Sequence, residues 1–180
     1  AISGNGVSDV VAHYFNYNND FGSIDSWRYE NQQLRMGFPF FDNKEAYYSN
    51  SPLLNADKIT TPLLTWTGKM DQNIRPEQSE AFYAALRRLK KENVMVVYSS
   101  DGHSLFDQKN QNDLTLKVKD WFGHYLKEEP KKEWMKADFE TNYRRQNRNI
   151  CIGGASNYWL GVYSRFAYCS RCRTDRKRKF

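Results

Sequence analysis

The first 150 residues contain no cysteine; the three in the chain, Cys151, Cys169 and Cys172, fall in its last 30 residues. An odd count gathered at one end excludes a disulfide framework as the support of the fold. Long apolar runs are missing too: none approaches the roughly 20 residues that cross a bilayer, and mean hydropathy is −0.86, so no membrane span is expected. Nor is there an initiator Met or a basic-then-apolar leader at Ala1-Ile2-Ser3-Gly4. Any targeting signal is therefore expected upstream of Ala1, and the compartment stays unassigned.

Acidic residues are nearly absent from the C-terminal end. After Asn142, Asp175 is the single acid against ten Lys and Arg, which leaves 17 basic and 20 acidic residues before it. The formal charge of +6 thus belongs to the tail, and the body, at −3, carries no basic surface of the kind that binds nucleic acid. The sequence divides into a body, 1–138, and a basic, cysteine-containing tail, 139–180, which shows no period and is expected to be poorly ordered or loosely attached.

What the body does contain is an alternation of short apolar runs and helical stripes. Pro62 to Thr67 is a compact β-prone run closed by Gly68. Gln78 to Glu92 sets Phe82, Ala85, Leu86 and Leu89 three and four apart, the stripe of an amphipathic helix. Val94 to Tyr98 reads as a second strand, and from Asp113 the series Leu114, Val118, Trp121, Phe122, Tyr125 marks a second helix ending near Glu128. Ala1-Ile2-Ser3 suits the end of a further strand. The expected class is α/β: a mostly parallel sheet flanked by helices. Between these elements, residues 14–48 form a long aromatic excursion with helical pieces near Ser8 to Phe15 and Lys44 to Tyr48. Tyr14, Phe15 and Trp27 there are candidates for a pocket wall, against the commoner role of aromatics as core.

Two loops follow the two strands. One carries Asp71 in Gly68-Lys69-Met70-Asp71-Gln72-Asn73, the other His103 in Asp101-Gly102-His103-Ser104. In open α/β sheets ligands sit outside the carboxyl ends of the strands, so these two side chains can converge. Their order, acid before histidine, is that of the α/β-hydrolase triad, in which a Ser on a Gly-x-Ser-x-Gly turn comes first. No such turn occurs in the sequence. His13 and His124 sit within helical patterns and read as packing or surface histidines. Cys169-x-x-Cys172 with Cys151 supplies three zinc ligands at most where a structural site needs four, so no metal is expected.

With those residues laid out, the body resembles the C-terminal catalytic region of the prolyl oligopeptidase family, serine peptidases that include dipeptidyl and acylaminoacyl peptidases. The resemblance runs through Ala1-Ile2-Ser3-Gly4, Val7-Ser8-Asp9, Ser51-Pro52, Ile59 to Leu64, Gly68 to Ile74, Pro76 to Tyr83, Gly102-His103 and Trp121 to Lys127. It implies the C-terminal half of an α/β-hydrolase fold, with Asp71 as the triad acid and His103 as the base. Asn73 falls where family members place a polar or basic side chain near the substrate. Thr67 stands where a His is common, and Asp101 where a Glu is frequent. The nucleophile motif is absent, which implies a peptide substrate met jointly with an N-terminal part of the same protein, no cofactor, and no activity of this chain alone. Two other readings stay open: an acyl esterase of the same fold, and a non-catalytic module that binds through its basic tail.

Overall fold

A computed structural model describes residues 1–136; the tail at 139–180, its three cysteines and the expected division at 138 lie outside the described residues. The element order is β1 (Ile2–Gly4), α1 (Val10–Tyr14), β2 (Tyr17–Asn18), β3 (Ser23–Ile24), α2 (Ser26–Glu30), α3 (Lys44–Ser49), β4 (Leu63–Gly68), α4 (Pro76–Arg88), β5 (Asn93–Tyr98) and α5 (Gln108–Lys127). Short 3-10 turns lie at Ala56–Lys58 and Glu133–Lys136. Strands β1, β4 and β5 make a parallel sheet in the order β1-β4-β5, with Ile2 opposite Leu64 and Leu64 opposite Val94. Strands β2 and β3 form a separate antiparallel pair.

Successive strand residues face opposite sides of a sheet, and β4 shows what that does here. Leu63 joins Phe82 and Leu86 of α4 in one buried cluster, while Leu64 joins Val94 and Trp121 of α5 in another. The two amphipathic helices therefore cover opposite faces. Trp121 is 1% exposed, and burying an apolar side chain of this kind contributes about 1.5–3 kcal/mol.

Helix ends depart from the sequence pattern for local reasons. Helix α4 starts two residues early, because Pro76 occupies its first turn, where a missing N–H costs no hydrogen bond. It stops at Arg88, and Lys90 then takes a left-handed φ of 57°. Leu89 is consequently 43% exposed and not part of the buried stripe. Helix α5 starts at Gln108 rather than Asp113, since the Asp107 side chain accepts from the Lys109 N–H at 2.8 Å and caps it. Phe122, placed in that stripe by spacing, is 40% exposed.

The aromatic excursion packs on itself. Tyr14, Tyr29, Phe40 and Tyr47 form a buried cluster with Val10, and the Tyr14 and Tyr47 rings meet edge to face at 5.2 Å. Their hydroxyls are satisfied: Tyr14 donates to Glu30 and Tyr47 to the Phe38 carbonyl at 2.7 Å. Burial pushes the Tyr47 phenol up to about 12, which keeps it neutral. Tyr14 is thus core rather than pocket wall, whereas Phe15 is half exposed. The excursion is tied to the sheet layer through Gln78 of α4, whose side-chain oxygen accepts from the Ser8 and Asp9 N–H groups at 3.0 and 2.8 Å.

Candidate active site

Strands β4 and β5 are adjacent and parallel, so the loops leaving their C-terminal ends emerge side by side. The loop after β4 turns at once: the Lys69 N–H donates to the Tyr98 carbonyl and the Met70 N–H to the Asp101 carbonyl, both at 2.9 Å. These bonds sew the acid loop to the histidine loop. They are possible because residue 68 is glycine; a Cβ there would lie 2.1 Å from the Gly102 carbonyl oxygen.

Asp71 is buried, and both of its carboxylate oxygens face donors. Oδ1 accepts from the backbone N–H of Asn73 and of Ile74, each at 2.9 Å. Oδ2 lies 2.9 Å from Nδ1 of His103. An ionised carboxylate can only accept, so the His103 proton is on Nδ1 and Nε2 carries the lone pair. The Asp71 side chain is 0% exposed and that of His103 is 42% exposed: a sealed acid holding an open base. Such an arrangement can take a proton from a hydroxyl brought to Nε2 and return it to a leaving group. The pairing foreseen from sequence is brought together by the fold.

Three features went unforeseen. Asn5, just past β1, has a left-handed φ of 44°; its Nδ2 donates to the His103 carbonyl at 2.5 Å and its Oδ1 accepts from the Gly68 N–H at 3.2 Å. One side chain therefore clamps both loops, and an Asn before a Gly at a strand end was the available signal, since Asn tolerates this conformation. Asp101 is the anchor of the histidine loop, accepting from the N–H of Phe106 at 2.8 Å and the amide of Asn110 at 2.5 Å. These bonds hold its carboxyl below the usual range, the Phe106 N–H first among them.

The third feature is a buried polar cluster around Asp25, which is 0% exposed. It accepts from Asn16 and Asn18 at 3.1 Å each and from Arg28 at 3.3 Å, and it faces His13 Nε2 at 3.4 Å. His13 is not a surface residue: it is 1% exposed, with Nδ1 2.8 Å from the Tyr29 hydroxyl. Both members of this second His–Asp pair are buried, unlike the half-open pair of Asp71 and His103. Asn73 joins the cluster, its Oδ1 receiving Asn18 Nδ2 at 2.9 Å and Arg28 Nη1 at 3.0 Å. A cavity of about 430 Å³ opens between α1 and α4, bounded by Asp9, Ala12, His13, Arg75 and Gln78 among others; neither Asp71 nor His103 lines it. Among the described residues no group of three or more His, Cys, Asp or Glu side chains could hold a metal ion, and no helix is long and apolar enough to cross a membrane.

The fold has counterparts among known proteins. The peptidase YuxL of Bacillus subtilis (strain 168) is 27% identical over 128 residues, which is 69% of this chain and 17% of that protein. A puromycin-hydrolyzing peptidase of Mycobacterium tuberculosis superposes with a TM-score of 0.58 at 24% identity, covering 70% of this chain and 18% of that one. The acylaminoacyl peptidase of Pyrococcus horikoshii gives 0.59 at 22% identity, covering 75% and 21%. The chain therefore spans about a fifth of the length of these relatives, and the fold it shares with the two structures is that of an α/β-hydrolase. The model of the prolyl oligopeptidase family matches residues 1–129, and the chain belongs to that family of serine peptidases.

Proposed function

We propose that this chain supplies the acid and the base of a serine peptidase whose nucleophilic Ser lies upstream of Ala1. In that reading His103 Nε2 takes the Ser proton as the hydroxyl oxygen attacks the scissile carbonyl. The imidazolium, held by Asp71 through Nδ1, then passes the proton to the departing amine, and a water repeats the sequence on the acyl group. Asn73 stands at the substrate side of the acid loop, and no cofactor enters. The observation that carries the proposal is the 2.9 Å contact between His103 Nδ1 and the sealed Asp71 carboxylate, reached from two loops at the carboxyl ends of neighbouring parallel strands.

The test is hydrolysis by the protein that carries this chain together with its upstream segment, on blocked peptide amides and on short-chain esters. Cleavage of amides that is lost in His103→Gln and blocked by a serine-directed phosphonate is the expected result. Cleavage of esters alone would replace the peptidase by an acyl esterase, and no cleavage of either would remove the hydrolase reading.

A further inference from the structure

We propose that Asn5-Gly6 is a deamidation site guarded by the fold: once the Asn5 carboxamide leaves its two bonds it converts to an acid, and the acid form no longer holds the His103 loop against the Asp71 loop. The inference concerns that contact and stands whether or not the protein proves to be a peptidase.

Asn5-Gly6 is the one Asn-Gly pair in the sequence, and the reaction needs no co-reactant but water. The Gly6 backbone nitrogen attacks Cγ of Asn5, and the new C–N bond closes a succinimide ring. The side-chain nitrogen leaves as ammonia with the proton that the Gly6 nitrogen gives up. Water then opens the ring. Addition at the side-chain carbonyl breaks the new bond and gives aspartate; addition at the main-chain carbonyl breaks the original peptide bond and gives isoaspartate. Glycine leaves the attacking nitrogen without a neighbouring Cβ. Here the Gly6 N–H also has no hydrogen-bond acceptor among the described residues, and Gly6 is half-buried, so the nucleophile is unengaged. The restraint lies on the other partner. Asn5 is 7% exposed, its Oδ1 accepts from the Gly68 N–H at 3.2 Å and its Nδ2 donates to the His103 carbonyl at 2.5 Å. A carboxamide pinned at both ends is directed at the two loops rather than at the nitrogen that follows it.

The product does not fit the place of the reactant. A carboxylate only accepts, so the oxygen that replaces Nδ2 meets the His103 carbonyl oxygen where a donor stood, and attraction becomes repulsion. Isoaspartate goes further, since it threads an added methylene through the main chain at a residue whose φ is 44° and whose N–H donates to the Trp66 carbonyl at 3.0 Å. Because ammonia is lost, the change does not reverse, and each opening of the clamp that ends in reaction is permanent.

The test needs no nucleophile and no ligand. The chain is held in mildly alkaline buffer with increasing urea below its unfolding midpoint, beside a free peptide with the sequence of residues 2–9, and conversion of each Asn is followed by mass spectrometry after digestion. Asn5 should convert before any other Asn. It should do so about thirtyfold more slowly in the folded chain than in the peptide, the combined worth of two hydrogen bonds, and the gap should close as urea rises. Gly6→Ala should slow conversion further. It keeps Asn5, and its Cβ would press only on the Ser3 hydroxyl, 2.7 Å away; adding Ser3→Ala removes that contact if the single variant fails to fold. Asn5→Asp, and equally the native chain aged to full conversion, should lose the single His103 tautomer in long-range 1H–15N spectra. Equal rates in folded chain and peptide, earlier conversion at another Asn, no slowing by Gly6→Ala, or an unaltered His103 ring in the converted chain would each overturn the proposal.

Discussion

The Gly68 Cα and the Gly102 carbonyl pass so close that a single methyl group at position 68 would sit 2.1 Å from that oxygen. The distance between the acid loop and the histidine loop is set there, by backbone, before either functional side chain is placed. Gly68→Ala should therefore part the loops: it is expected to cost about 1–3 kcal/mol of stability, as overpacking of a closed site does, measured by urea unfolding. The His103 ring should lose its single tautomer in the same variant, read from long-range 1H–15N spectra.

Asp71→Asn removes the carboxylate and can present its amide to Nδ1. The expected result is a well-folded chain in which His103 no longer keeps its proton on Nδ1. In a protein with the nucleophile in place, turnover should fall by about four orders of magnitude, the effect of a wrong tautomer in a triad. An unchanged ring spectrum in Asp71→Asn would show that the 2.9 Å contact does not orient the imidazole.

Asn5 separates strain from bonding. Asn5→Gly accepts the left-handed backbone but loses both clamps, and Asn5→Ala loses the clamps and is strained as well. Thermal unfolding should rank native above Asn5→Gly above Asn5→Ala, with each lost bond worth about 1 kcal/mol and each kilocalorie about 2–4 °C in a chain of this length.

Acid sensitivity should come from His13. Burial lowers its affinity for a proton below that of an ordinary histidine, whose pKa is about 6.5, with Asp25 opposing and Arg28 adding to the shift. The folded state therefore binds that proton less readily than the unfolded chain does. Stability from this group is complete above about pH 6.5 and declines as pH falls below it, because only the unfolded chain gains the proton. Denaturant midpoints measured from pH 8 to pH 5 should fall in the native chain and be flatter in His13→Asn.

The elements most visible in the sequence were those with strong side-chain periodicity. Strands β4 and β5 and the buried faces of α4 and α5 are written in Leu63, Leu64, Val94, Phe82, Leu86 and Trp121. Asp71 and His103 were legible for a different reason, as loop residues at a spacing that one helix and one strand consume. Helix α2 and the β2–β3 pair were not legible, because they are held by Asp25, Asn16, Asn18 and Arg28, and contacts between polar side chains leave no period. His13 illustrates the same limit: its helical setting suggested a packing or surface role, while its burial depends on an aspartate twelve residues on. Leu89 and Phe122 fitted the stripes and are exposed, since a stripe records spacing and not where a helix ends or how wide its covered face is.

Strand β1 pairs with β4 across a separation that the whole aromatic excursion fills, Ile2 lying opposite Leu64, whereas β4 and β5 are joined by a single helix. Closing the longer loop costs more chain entropy, and contacts of great sequence separation tend to form late. The unit of β4, α4 and β5 is thus expected to form first, with β1 docking onto it afterwards. Because Asn5 rides on β1, the clamp over the Asp71 and His103 loops should arrive with that strand, so the histidine and its carboxylate partner should come into register only after β1 has docked. Amide exchange should show it, with the β1 protons least protected of the three strands and the Gly68 N–H, which Asn5 holds, released together with them.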